Sequence, residues 1–306
     1  MRRFSALVVA ASVLAAITAC STAPSTDTCE TGVNAGNASK TVQASGDIGA
    51  APTVTFPEPL ITAGIERSTI TAGDGAALGP GQPVILEATI LNGTDGSVLQ
   101  QTAYATAGGS LFTVGDSGLP ALGTALECAT VGSRVAVVAP AAANSAGGEA
   151  TSTDSVVYVV DLLKSFPARA DGADELPVPG MPSVVSAPDG TPGITLPSGP
   201  VPTDYRQSLL QRGTGAEIAA DDLVVAKVTA VNWDTKTLSQ STWSTGSTSI
   251  IDLSATTVSE GLKQAITGEK VGSRVLAVVP ASLATTSDGA PAATLVYVVD
   301  ILGTVN

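Results

Sequence analysis

Two stretches of the chain scarcely alternate between apolar and polar positions. "VVYVVDLL" (156–163) and "LVYVVDIL" (295–302) are almost continuously apolar and rich in β-branched side chains. Such runs predict strands at the middle of a sheet, covered on one face. "VGSRVAVVAP" (131–140) and "VGSRVLAVVP" (271–280) predict two more strands, each entered through glycine and ended by proline. "PVILEATILN" (83–92) and "DLVVAKVTAVNW" (222–233) add a third pair, each followed by turn residues. The period changes in "TTVSEGLKQAITGEKVG" (256–272). There Val258, Leu262, Ala265 and Ile266 recur at helical spacing, Ser259 or Thr257 offers a cap, and Gly268 offers a stop. "DSGLPALGTALECATVG" (116–132) places Leu119, Leu122 and Leu126 likewise. One short helix against a curved antiparallel sheet makes an α+β domain.

The pairs share an offset of 271 − 131 = 140. Upstream, Gly73 and Gly75 of "AGDGA" fall on Gly213 and Gly215 of "RGTGA", and Pro52 falls on Pro192. Downstream, Asp161 falls on Asp300, one residue having been gained or lost in the loop between. The chain therefore reads as two copies of one domain, 46–163 and 189–306. The stretch 164–188 is rich in Pro, Ala and acids and reads as a stiff, exposed linker. Residues 20–45 read as a flexible stalk.

The N-terminus and the charge narrow the setting. Arg2 and Arg3 precede an apolar run from Phe4 to Ala16, too short to span a bilayer, so residues 1–19 read as a signal peptide. "ITAC" (17–20) resembles a bacterial lipobox, which implies cleavage before Cys20, a lipid on it, and anchoring to the outer face of the cytoplasmic membrane. Net charge is −13, and no Lys/Arg cluster occurs, which excludes nucleic acid as a partner. The chain has no histidine, so Ser-His and Cys-His nucleophiles are excluded. Oxygen-rich stretches such as "NGTDGS" (92–97) read as turns, and no metal or cofactor is expected. Three cysteines in an exported chain leave one to explain. With Cys20 lipidated, Cys29 and Cys128 either pair as a disulfide or remain as two buried thiols.

"EGLKQAITGEKVGSRVLAVVP", a loop and "TLVYVVDIL" together resemble the FKBP-type peptidyl-prolyl cis-trans isomerases. In that family a helix leads to a V-G-x-R strand, then a loop and a final L-V-F-x-V-x-L strand. The resemblance covers most of the second copy and, through the internal repeat, the first. It implies a curved antiparallel sheet wrapped around one helix, and an apolar groove between them where prolyl bonds of exported polypeptides rotate. It implies a second-copy groove formed by Val225, Lys227, Gln240, Trp243, Ile251, Val258, Ser259, Leu262, Thr285 and Tyr297. The family's lining is degraded here. Its strand tyrosine falls at Lys227 (Glu87 in the first copy), its helix tryptophan at Leu262 (Leu122), and its rim aspartate near Gln240 (Gln100). The final-strand aromatic survives as Tyr297 and Tyr158. The resemblance thus implies weak isomerase activity from the second copy and none from the first. The alternative is a non-catalytic peptide-binding module or envelope scaffold on the same fold. A pair of immunoglobulin-like adhesin domains suits the composition but not the helical 256–268 segment. The sequence carries no signal of oligomeric state.

Overall fold

Two antiparallel sheets follow one another along the chain. A computed structural model describes residues 33–104, 109–144, 154–284 and 293–305, all within a unit spanning 31–306. The expected leader, Cys20, Cys29 and Thr285 lie outside these residues. The first sheet runs Glu66–Thr71, Arg134–Pro140, Ser155–Ser165, Pro83–Asn92, Val98–Gln101, with Ser110–Thr113 also pairing Pro83–Asn92. The second runs Ala173–Asp174, Arg206–Arg212, Arg274–Val279, Leu295–Thr304, Leu223–Asn232, Leu238–Ser241, with Ser249–Asp252 also pairing Leu223–Asn232. Even the irregularities recur at an offset of 140. Register shifts fall at Thr69/Thr71 and Leu209/Gln211, at Ile85/Leu86 and Val225/Ala226, and at Ile90/Leu91 and Ala230/Val231.

The continuous apolar runs are explained by cover on both faces, not one. On the inner face of the second sheet, Val224, Ala226, Val228 and Ala230 share a core with Ala265 and Ile266 of the helix Glu260–Ile266. Ser259 caps that helix, its hydroxyl accepting from the Leu262 N–H, and Gly268 beyond its end has φ +82°. Seven residues cannot hold a helix alone in water; burial of a side chain such as Ile266, worth roughly 1.5–3 kcal/mol, holds this one. Gly261 sits so close to the sheet that a Cβ there would lie 2.2 Å from the Val279 side chain. Gly261→Ala is therefore expected to cost about 1–3 kcal/mol in chemical denaturation. The first-copy helix, Pro120–Ala125, has proline in its first turn and buries Ala121, Leu122 and Ala125.

The outer cover was not expected from the sequence. The hairpin Gln43–Ser45/Thr53–Thr55 places Ala44 and Val54 over Ala136, Val138, Val157 and Val159. The hairpin Ser183–Ser186/Pro192–Thr195 places Val184 and Ile194 over Leu276, Val278, Val296 and Val298. These hairpins also match at the offset of 140, so the shared unit reaches back to 43 and 183, and starts at 46 and 189 would cut into it. The expected stalk is folded from residue 33: Val33, Ala38 and Val42 are buried, and Asn37–Thr41 is a helix. The expected linker is exposed near Leu176, but Phe166 and Ala170 are buried and Ala173–Asp174 joins the second sheet. Both stretches contain too few apolar residues to give a periodic signal, yet Val33, Ala38, Val42, Phe166 and Ala170 among them are buried.

The two "VGSR" arginines fasten the hairpins to the sheets. Arg274 Nε lies 2.5 Å from Asp300 Oδ1 and Nη2 2.7 Å from Oδ2, and the guanidinium also reaches the Ser186 hydroxyl and the Gly190 carbonyl. Arg134 makes the same fork with Asp161 and reaches the Gly46, Asp47 and Ala50 carbonyls. The G-x-G segments serve close approach. A Cβ on Gly73 or Gly213 would fall 2.2 Å from the carbonyl oxygen of Val131 or Val271.

Burial also makes the fold sensitive to alkali. Desolvation raises the Tyr158 phenol to about 12. The folded state thus favours the protonated ring, and that stability is present below pH 10 and lost as pH rises towards 12. Two pH units correspond to roughly 2–3 kcal/mol. Thermal melts should fall steeply between pH 10 and 12, and Tyr158→Phe should flatten the slope.

Candidate functional site

On the inner face of the second sheet the helix start stands off from the strands and leaves a cavity of about 300 Å³. The strand Leu223–Asn232 contributes Val228, and Leu295–Thr304 contributes Tyr297. The short strand Ser249–Asp252 contributes Ser249, Ile250 and Ile251, and Leu238–Ser241 contributes Gln240 at the rim. Thr257, Val258 and Ser259 close one wall and Leu262 lies on the helix side. The size is at the lower end for small-molecule or side-chain pockets.

Ser259 has three roles at this wall. Its carbonyl accepts from the Leu262 and Lys263 N–H groups, starting the helix. Its hydroxyl caps the helix and lies near the Tyr297 phenol. Among the described residues nothing accepts from its own N–H, so that donor is available to a carbonyl in the cavity. Burial raises the Tyr297 phenol, the Ser259 contact opposing it, so the ring stays protonated at neutral pH. The cavity thus offers apolar walls, one backbone donor and neutral hydroxyls, with no carboxylate or imidazole to move a proton.

The structure brings Gln240, Ile251, Val258, Ser259, Leu262 and Tyr297 together and adds Val228, Ser249, Ile250 and Thr257, which the motif reading missed. It places three expected groove residues elsewhere. Val225 is packed with Ile85, Phe166 and Leu302 on the opposite face. Lys227 points the same way, its Nζ 3.4 Å from the Gly81 carbonyl oxygen and 4.3 Å from the Trp243 ring centroid. Trp243 therefore stacks under Lys227 rather than flooring the groove, and Arg274 lies 5.9 Å from the same ring. The physical reason is the period of two. Assigning the strand one residue off turns every side chain to the other face, so the inward residue is Val228. Trp243 follows the edge strand into a turn, beyond Thr242, which bonds both backbone groups of Val228. Alternation within "LVVAKVTAV" could have shown that Val225 and Lys227 share a face opposite Val224, Ala226 and Val228.

Burial costs Lys227 part of its charge preference: desolvation lowers its pKa, while Asp300 and Asp189 push back. In the first copy Glu87 holds this position, accepting from the Thr102 hydroxyl and from the Tyr104 N–H at 3.2 Å. The first-copy inner face is fuller. Phe112 pairs with Val84 where Ile251 pairs with Val224, and it packs on the core that includes Tyr158. Tyr158 is 2% exposed, against 8% for Tyr297.

Residues 215–302 match the family model described as FKBP-type peptidyl-prolyl cis-trans isomerase. No curated protein matches the chain. Among solved structures, the three FKBP domains of wheat FKBP73 are 20% identical, with 79% of this chain and 94% of that one covered at a TM-score of 0.33. FkpA from Escherichia coli is 20% identical over 40% of this chain and 51% of its own, at 0.30. The N-terminal domain of FKBP42 from Arabidopsis thaliana is 18% identical over 37% of this chain and 96% of its own, at 0.31.

Proposed function

We propose that this chain, which carries an FKBP-type domain at 215–302, is a weak peptidyl-prolyl cis-trans isomerase acting through its second-copy cavity. The observation that carries the reading is the recess lined by Val228, Ile251, Val258, Leu262 and Tyr297 beside the Ser259 N–H, which has no partner among the described residues. Rotation about an X–Pro bond crosses a barrier of about 18–20 kcal/mol because the twisted amide loses resonance. The twisted amide is less polar than the planar one, so a water-poor apolar recess favours it over the ground state. The Ser259 N–H would hold the substrate carbonyl while the prolyl ring occupies the recess. No proton transfer is needed, which suits a site without acid or base, and the rate should be flat between pH 6 and 8.

The clients in this reading are proline-containing exported polypeptides. The first copy is non-catalytic, and the halves together form a tandem FKBP-fold lipoprotein held at the outer face of the membrane through Cys20. Cys128 is disulfide-bonded, and Cys29 is the partner this proposal assigns to it.

A second reading, a scaffold that binds peptides without catalysis, is favoured by the absence of an aromatic floor where Leu262 stands. A protease-coupled assay of the mature chain on a proline tetrapeptide separates the two. Acceleration above the spontaneous rate is expected. Peptide binding in the cavity without acceleration would establish the scaffold instead.

A further inference from the structure

A second recess opens on the other side of the second copy, and the first copy shows why. In the first copy the 57–62 segment lies against Gly93: the Leu60 N–H donates to the Gly93 carbonyl at 2.7 Å, and Leu60 is buried. A Cβ on Gly93 would meet the Leu60 carbonyl at 2.8 Å. At the offset of 140 the second copy has Trp233 for Gly93 and Pro200 for Leu60. The indole takes the space, proline has no N–H to donate, and the 197–202 segment stands off. A cavity of about 340 Å³ results, walled by Pro197, Pro200, Val201 and Pro202, with Trp233 and Arg206 also lining it.

Its chemistry is specific. The Trp233 indole N–H is buried and has no partner among the described residues. Exposed cations flank the ring: Lys236 Nζ stands 5.1 Å from its centroid, and Arg206 lines the recess, with neither in an ion pair among the described residues. In the first copy these positions are Gly96 and Glu66, and Glu66 has a local task, accepting from the Ser39 N–H. Among the described residues the Arg206 side chain has no such task. The proline walls fix their own backbone angles, so the recess needs little ordering on binding.

We propose that this recess is a binding site for an extended, acidic, proline-containing peptide segment, separate from the isomerase cavity. A prolyl ring packs among Pro197, Pro200 and Pro202 and meets the small part of the indole that lines the recess. A peptide carbonyl takes the indole N–H, and a carboxylate pairs with Arg206. Arg206, lining the recess, selects acid against base on a protein that is otherwise strongly acidic. This proposal stands whether or not the first cavity is catalytic.

The probe is the peptide Ac-Pro-Pro-Glu-Pro-NH2, titrated into the mature chain. Trp243→Phe leaves Trp233 as the sole tryptophan, so its emission reports occupancy, and calorimetry on the unaltered chain checks the same affinity. A saturable change is expected, weakened about tenfold or more by Arg206→Glu, with the lysine analogue of the peptide gaining affinity for that variant. Leu262→Asp should leave binding intact. No saturable signal, indifference to Arg206→Glu, or loss on Leu262→Asp would each overturn the assignment; the last would place the peptide in the isomerase cavity.

Discussion

Asp300→Ala is expected to destabilise the second half by about 3–5 kcal/mol, lowering its melting temperature by roughly 10 °C. The cost comes from what is left behind. Arg274 is 3% exposed and Lys227 is 5% exposed, and Asp300 is the carboxylate that answers both. The Ala170 N–H loses its acceptor as well. Removing both partners is a different experiment. Asp300→Leu with Arg274→Met removes the buried charge pair together and should recover much of the loss. The first copy supplies an internal control. Asp161 faces Glu87 in the register where Asp300 faces Lys227. Asp161→Ala strands one arginine but relieves a carboxylate neighbour, so it should cost measurably less. Equal losses at the two positions, read by denaturant titration, would show that the Lys227 environment contributes nothing.

Leu262→Asp should abolish whatever isomerisation the chain performs. Leu262 lies on the helix side of the recess, partly buried, and faces the position proposed for the prolyl ring. A carboxylate there must either keep its water, filling the recess with solvent, or lose it at a cost of several kcal/mol. Either outcome removes the low-polarity surroundings that favour the twisted amide. A loss of about 3 kcal/mol in transition-state stabilisation corresponds to more than a hundredfold in kcat/KM. Folding is separable from this effect, since Leu262→Met keeps volume and apolarity and should retain most activity at similar stability. Activity surviving Leu262→Asp would move the site out of this recess.

How much of this was legible in the sequence differs by element. The six long strands and the helix at 260–266 announce themselves by apolar runs, by a change of period and by Ser259 and Gly268 at the helix ends. The outer hairpins do not. Each contributes only a few apolar residues, such as Val184 and Ile194, and their contribution appears only once the strand faces they cover are known. The site was half legible for a related reason. The helix-side residues Val258, Ser259 and Leu262 follow from the capped helix, and Tyr297 from its strand. Lys227 and Trp243 lie away from the groove that the family resemblance implies for them, because side-chain direction along the strand is set by alternation and by a bulge at Val225/Ala226. Nothing local in the sequence marks the recess at Trp233; the comparison of Gly93 with Trp233 between the copies does.

The cluster of Ile85, Phe166, Val225 and Leu302 draws one side of its contacts from each sheet, and Phe166 N donates to the Pro83 carbonyl while Lys164 Nζ reaches that of Thr304. Synthesis runs from the N-terminus, so the early half must wait with an oily seam uncovered until nearly the whole polypeptide has been delivered. A product ending before the second half would leave Ile85 and Phe166 without Val225 and Leu302, an apolar patch prone to stick.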